Sequence, residues 1–412
     1  MISDFNKKIF ASTSYQVIGK LFTSAFGFLT SILLARYFGV KLFGEFNLIY
    51  IFLGIISIFS DFGLATLLTR EVASQRADEK YISAIFSLRF FLLLLLFVIA
   101  VLAMPFFAYS SYVKFGIIIA LFGNSFLGLS SVFWAIFQAK LNFLKMVIIQ
   151  VISSIVSAIL IVIGILSSQS FLYFVFASLA GGVLGFFITK KVSKLDIKIS
   201  FDKKVFRKIL ADAWPIGFGV IVTTLFSKID SLMISFFFNP AKNVDLGLYS
   251  ASYKYFEVAC VFAGFFQITT FPIISSGIKK INFLSLYKKL FFYGAIISLF
   301  STLGLFLLAK PLILILGNDY LPAVNSLKIL SLALGVMVIS GIWPSVAVAG
   351  GKQKQFFYVS LAALIFNFLL NVWIIPRFSF IGASWTTVFS QIFIAAGYFL
   401  IAKEFFQKSE NK

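Results

Sequence analysis

Phe90-Phe-Leu-Leu-Leu-Leu-Leu-Phe-Val-Ile-Ala-Val-Leu-Ala-Met-Pro-Phe-Phe107 carries no charge and only apolar side chains. A hydrocarbon core about 30 Å thick takes roughly 20 helical residues to cross, and a helix satisfies its own backbone there without water. The run is followed by others, Ile148 to Leu166 among them, and about twelve recur along the chain, separated by short polar loops. No soluble fold uses so many, so the expected class is an all-α integral membrane protein.

Composition agrees. The 412 residues are 60% hydrophobic and 12% charged, with a mean hydropathy of +1.02, outside the globular range. The first run, Ile9 to Phe38, contains Lys20 and has no small-residue cleavage pattern behind it. It reads as a retained span, with the mature protein expected to start at Met1. Cys260 is the one cysteine and histidine is absent, so no disulfide, metal site or cofactor is expected.

A net charge of +20 in a soluble protein would suggest nucleic acid. Its placement rejects that partner. Twenty-four Lys and Arg residues fall in the termini and alternate loops, the densest being Lys190, Lys191, Lys194, Lys198, Lys203, Lys204, Arg207 and Lys208. The opposite loops hold six: Arg36, Lys41, Lys114, Lys242, Lys310 and Arg377. By the positive-inside rule both termini are cytoplasmic, which requires an even number of spans.

The spans are placed at 12–36, 45–67, 82–107, 113–137, 143–167, 170–190, 211–238, 248–272, 290–316, 322–349, 356–376 and 380–402. The basic stretch near the middle divides the chain into an amino-terminal six-helix lobe (1–189), a cytoplasmic linker (190–210), a carboxy-terminal six-helix lobe (211–402) and a cytoplasmic tail (403–412). The halves look related. Ser31-Ile-Leu-Leu-Ala-Arg-Tyr-Phe aligns with Ser231-Leu-Met-Ile-Ser-Phe-Phe-Phe, and Phe43-Gly-Glu-Phe-Asn47 with Leu246-Gly-Leu-Tyr-Ser250. Repeats with an even number of spans are parallel, which implies two pseudo-symmetric lobes around a central path.

Charges inside the spans carry the functional signal, because a lysine or arginine at mid-bilayer costs about 2.5–3.5 kcal/mol on insertion scales. Five are placed so: Lys20, Arg89, Lys228, Lys254 and Lys328. Lys20 lies in a polar stripe with Ser12, Gln16, Ser24, Gly27 and Ser31, spaced to share one helix face. Lys228 lies in another, with Thr224, Ser231 and Ser235, and Asp230 beside it. A third face holds Tyr253, Glu257, Cys260, Gly264 and Gln267. Lys254 and Glu257 either neutralise one another or serve a ligand, and Arg89 and Lys328 either snorkel to headgroups or line a path. Asp61 reads as a boundary residue. An interior with more cations than acids suits an anionic passenger.

Several stretches resemble one family, the Wzx-type polysaccharide flippases of the MATE-like MOP superfamily. They are Ala35-Arg-Tyr-Phe-Gly39-Val-Lys-Leu-Phe-Gly44-Glu-Phe-Asn47; Asp61-Phe-Gly63-Leu with Arg70-Glu-Val-Ala73; Phe133-Trp-Ala-Ile-Phe-Gln138-Ala-Lys140; Gly247-Leu-Tyr249-Ser-Ala251-Ser-Tyr-Lys254 with Pro272; and Asn367, Asn371, Ile375-Pro376 and Gly382-Ala383. The resemblance implies a multi-pass protein of the bacterial inner membrane that is not an enzyme. Its expected action is to move undecaprenyl-diphosphate-linked oligosaccharide units (O-antigen, capsule or exopolysaccharide) from the cytoplasmic to the periplasmic leaflet by alternating access. The implied partners are that lipid-linked substrate, membrane lipids and polysaccharide polymerase machinery.

In that picture Lys20, Arg89, Lys228 and Lys254 contact the diphosphate, and Gln16, Tyr253 and Gln267 the sugar. Asp230 or Glu257 is the carboxylate that couples transport to protons or sodium. Two relatives in chemistry stay open as alternatives, a MATE-type multidrug antiporter and a peptidoglycan-precursor flippase. The first is expected to carry an acid in an amino-terminal helix, where span 1 has Lys20; the second commonly has fourteen spans. A membrane glycosyltransferase or polymerase is expected to have a large outer loop, which this chain lacks.

Overall fold

A computed structural model describes residues 2–237, 244–278 and 283–410. Of the basic residues that set the orientation, Lys242, Lys279, Lys280 and Lys412 lie outside them. The regular elements among the described residues are helices: α1 (Ile2–Asp61), α2 (Leu64–Ala73), α3 (Glu79–Ala103), α4 (Ser111–Ala139), α5 (Phe143–Leu166), α6 (Phe171–Ser193), α7 (Lys203–Phe237), α8 (Val244–Gly277), α9 (Phe283–Leu314), α10 (Ala323–Ser340), α11 (Ile342–Ala349) and α12 (Gln353–Glu410). Among them ten helices are long and apolar enough to cross a membrane.

Two of the ten are too long for one crossing. Their apolar parts run 48 residues (14–61) and 53 residues (353–405), about 70–80 Å at 1.5 Å per residue, against a core of about 30 Å. Each is broken where the sequence places a span boundary. Gly39 takes φ 68° inside α1, a region open to glycine. Ser379 takes φ 50° inside α12, and its Oγ donates to Asp245 Oδ2 at 2.6 Å. The expected span 2 ends at Asp61 rather than at 67, because Phe62 (φ 43°) and Gly63 (φ 77°) turn the chain into the separate short helix α2.

The chain forms two compact units, one of residues 1–37 and 46–224, the other of residues 38–45 and 225–412. The division falls inside α7, between Thr224 and Leu225. In the first unit, Leu64, Leu67 and Leu68 of α2 share a core with Ile85 and Leu88 of α3, Val132 and Phe133 of α4, Phe186 of α6, and Phe206, Ile209 and Ala213 of α7. Helices in a membrane approach closely through small residues. A Cβ on Gly181 of α6 would lie 1.9 Å from the Ser153 carbonyl oxygen of α5, so only glycine permits that spacing.

In the second unit α10 is the buried centre, with Leu327, Leu330, Ala333 and Leu334 fully enclosed. Hydroxyls hold its neighbours: Ser326 lies 2.7 Å from Ser252 of α8 and 2.7 Å from Ser384 of α12. The turn 38–45 packs on this unit. Phe43 is buried with its ring edge-on to Tyr320 at 6.1 Å, and Gly247 lies so near the Val40 carbonyl that a Cβ would come within 2.0 Å of its oxygen. α9 by contrast shows most of its apolar surface, including Leu299, Phe300 and Leu307, as a helix solvated by lipid does.

Candidate functional site

α7 and α8 of the second unit bring together a cluster of charges. Lys228 Nζ of α7 lies 2.7 Å from Glu257 Oε1, and Lys254 Nζ lies 3.7 Å from Glu257 Oε2. Lys254 and Glu257 face each other by their separation of three on α8, but the nearer partner of Glu257 is Lys228 from the other helix. All three side chains are about one-third exposed. Lys228 also stands over the Tyr253 ring, 5.9 Å from its centroid, while the Tyr253 hydroxyl donates to the Ser227 carbonyl at 3.0 Å. One carboxylate between two ammonium groups leaves the cluster with a net positive charge and several N–H donors unused. Such a cluster has the charge and the donors to suit an anion.

Nearby on α7, one helical turn holds the opposite arrangement. Asp230 is 5% exposed and accepts hydrogen bonds from Asn371 Nδ2 at 2.6 Å, Thr387 Oγ1 at 2.8 Å and the Tyr249 hydroxyl at 3.1 Å. Asn371 Nδ2 also donates to Asn367 Oδ1 at 3.0 Å, and Asn367 Nδ2 to Ser390 Oγ at 3.1 Å. These donors are neutral, and Asp230 forms no ion pair among the described residues. Asn371 Oδ1 beside it is buried with no hydrogen-bond partner. A buried carboxylate and an unused amide oxygen together suit a small cation or a proton, since an isolated charge in this setting is costly.

A cavity of about 310 Å³ lies within the unit; its wall includes Ser227, Asp230, Tyr253, Glu257, Asn367, Thr387 and Gln391, so the cluster meets it through Glu257 and Tyr253, while Lys228 and Lys254 stand behind that carboxylate. The Asp230 cage draws on α7, α8 and two turns of α12. Asn367, Asn371 and Thr387 were not among the residues marked for a site by sequence, although Asn367 and Asn371 stand four apart and so share a helix face.

The remaining marked residues lie elsewhere. In the first unit Arg89 of α3 is 4% exposed, with Nη1 2.5 Å from Asp61 Oδ1 at the end of α1. Its Nε is buried with no hydrogen-bond partner. Lys20 and Gln16 are exposed on α1, and Lys20 has no ion pair among the described residues. Gln267 of α8 is half-buried and packs on Gly341. Lys328 stands over the Phe306 ring at 5.1 Å, a neutral seat for a cation.

Residues 9–278 match the family model described as polysaccharide biosynthesis protein, well over half of the chain. The chain belongs to the polysaccharide biosynthesis protein family. This family member is 27% identical over 223 residues to the capsular polysaccharide biosynthesis protein CapF of Staphylococcus aureus, a match covering 51% of this chain and 54% of CapF. It thus spans about half the length of that curated relative. Among solved structures it is similar to the lipid II flippase MurJ in an inward closed conformation, with a TM-score of 0.76 at 19% identity over 94% of this chain and 87% of that one. An inward-facing multidrug resistance MATE family transporter of the MOP superfamily gives 0.74 at 11% identity, covering 95% and 96%. A point mutant of the Vibrio cholerae MATE transporter VcmN gives 0.68 at 15%, covering 98% and 97%. These likenesses show the fold that the polysaccharide biosynthesis family member shares with MOP-superfamily transporters, as its sequence resemblance led one to expect.

Proposed function

We propose that this protein is a flippase, not an enzyme, that carries an undecaprenyl-diphosphate-linked oligosaccharide from the cytoplasmic to the outer leaflet of the bacterial cell membrane by alternating access. The observation that carries the reading is the Lys228–Glu257–Lys254 cluster, two cations around one carboxylate beside a cavity, in a polysaccharide biosynthesis family member. A diphosphate arriving there takes the ammonium donors from Glu257 without leaving either lysine unpaired, so binding and release stay close in free energy. Tyr253, on the cavity wall, offers an aromatic ring for a sugar, and within the first unit Lys20 and Gln16 give α1 an exposed polar face of its own. Gln267 is the amide assigned to the sugar in this reading. Within the first unit, Arg89 becomes available to a phosphate only when its pair with Asp61 opens.

Asp230 is the coupling carboxylate in this reading. Its neutral donors leave one negative charge for a proton or a sodium ion to neutralise, whereas Glu257 already meets two lysines. Both termini are cytoplasmic in this orientation, and the sugar polymerase that consumes the flipped unit is the expected partner.

The test reconstitutes the protein in liposomes with a lipid diphosphate oligosaccharide labelled on one leaflet. The expected result is movement of the label that Lys228→Ala and Lys254→Ala reduce. No movement, together with drug-dependent cation exchange, overturns the flippase reading in favour of a multidrug antiporter.

A further inference from the structure

We infer that the basic stretch 190–208 is a rigid platform that binds the anionic phospholipid headgroups of the leaflet against which it lies. Eight Lys and Arg residues occupy these nineteen positions, and all eight are exposed. None forms an ion pair among the described residues. Asp202, the acid just before α7, is otherwise engaged: its Oδ1 accepts from the backbone N–H groups of Lys204 and Val205 at 2.9 and 3.2 Å.

The segment is held in place. Past the left-handed Lys194 the chain alternates, so that Leu195 and Ile197 pack on the core of the first unit while Lys194, Lys198 and the acid between them, Asp196, are exposed; eight bases against Asp196 and Asp202 leave the stretch strongly positive. The Ser200 N–H donates to Ser87 Oγ of α3 at 3.0 Å, and the Phe201 ring lies 5.7 Å from Phe91 and 5.3 Å from Phe206. Ammonium groups carried on a backbone that is tied down stay near one another and repel, and a counter-charge relieves that cost. Helix electrostatics does not account for them all. Lys190 and Lys191 suit the end of α6, but Lys203 and Lys204 sit at the start of α7, where the helix dipole disfavours cations.

What selects lipid over another polyanion is depth and apolar character. The stretch joins the ends of two membrane-crossing helices, which places it at headgroup level. Ile199 and Phe201 there are 58% and 71% exposed. Apolar side chains among lysines at this depth reach the acyl boundary while the ammonium groups meet phosphodiesters. The inference rests on the stretch lying at a membrane face and not on the flippase reading.

The test uses full-length protein in mixed micelles of phosphatidylglycerol and phosphatidylcholine, with retained lipid counted by native mass spectrometry. One lysine near an anionic surface is worth about a fivefold preference, so a partly engaged cluster gives the wild type roughly tenfold or more for phosphatidylglycerol, falling in high salt. Replacing Lys190, Lys191, Lys194, Lys198, Lys203 and Lys204 by glutamine is expected to cut that preference below about threefold, while replacing the same six by arginine keeps it. A control with Lys288, Lys289, Lys352 and Lys354 changed to glutamine is expected to match the wild type. Equal preference in the glutamine variant, no preference in the wild type, or binding of polyglutamate without phosphatidylglycerol selectivity each overturns the proposal.

Discussion

Asp61→Asn isolates the buried pair with Arg89 and separates a structural role from a substrate role for that arginine. The guanidinium is 4% exposed and touches Asp61 at 2.5 Å, with its Nε already unpartnered. Removing one member of a buried pair costs about 3–5 kcal/mol, because the other charge stays desolvated. Asparagine keeps one acceptor and recovers about 1 kcal/mol of neutral hydrogen bond, which leaves a loss of about 2–4 kcal/mol. Replacing both, Arg89→Met with Asp61→Leu, removes the stranded charge and is expected to restore most of the stability. Thermal unfolding in one detergent reads the effect; in a chain of this length a loss of that size lowers the midpoint by roughly 2–5 °C. The double variant is also assayed for lipid-diphosphate transport. If Asp61→Asn costs under about 1 kcal/mol, or the double variant is no more stable than the single one, the pair is not what holds α3 to the end of α1. A stable double variant that no longer transports places Arg89 on the substrate.

Other predictions follow from the second unit and from helix contacts. Asp230→Asn keeps the shape of the cage but removes its charge, so transport is expected to lose its dependence on a proton or sodium gradient with little change in folded yield; retained dependence moves the coupling to another group. Glu257→Gln frees Lys228 and Lys254 and is expected to tighten binding of a lipid diphosphate several-fold while slowing turnover, measured by titration and by flipping rate; weaker binding contradicts the cluster's assigned role. Gly181→Ala forces a Cβ into the Ser153 carbonyl, so α5 and α6 must separate, at a cost of about 1–3 kcal/mol visible as a lower unfolding temperature.

Much of the fold was legible because bilayer crossing is a constraint on consecutive residues. Phe90 to Phe107 needs no partner to be recognised, and α9 and the α10–α11 pair lie within a few residues of where hydropathy puts them, apart from α9's earlier start. The ends were less legible. Span 2 stops at Asp61 through two positive-φ residues, Phe62 and Gly63, and the phenylalanine gives no local sign of that conformation. The basic middle stretch reads as a linker by composition, yet Leu195, Ile197 and Phe206 pack it on the first unit; amphipathic alternation over so few residues is easily lost among lysines.

The charged positions divide in the same way. Composition and spacing alone determined that the chain is a polytopic helical membrane protein, that Lys20, Arg89, Lys228 and Lys254 are costly where they stand, and that Lys254 and Glu257 share a face. Tertiary structure decided the partners: Lys228 with Glu257 across 29 residues, Arg89 with Asp61 across 28, and Asp230 with Asn371 and Thr387 across more than 140. A helix repeats its faces every 3.6 residues, so sequence reveals which side chains lie together on one helix. Which faces of different helices meet depends on packing over the whole chain, and there the charge of each site is either cancelled or left open.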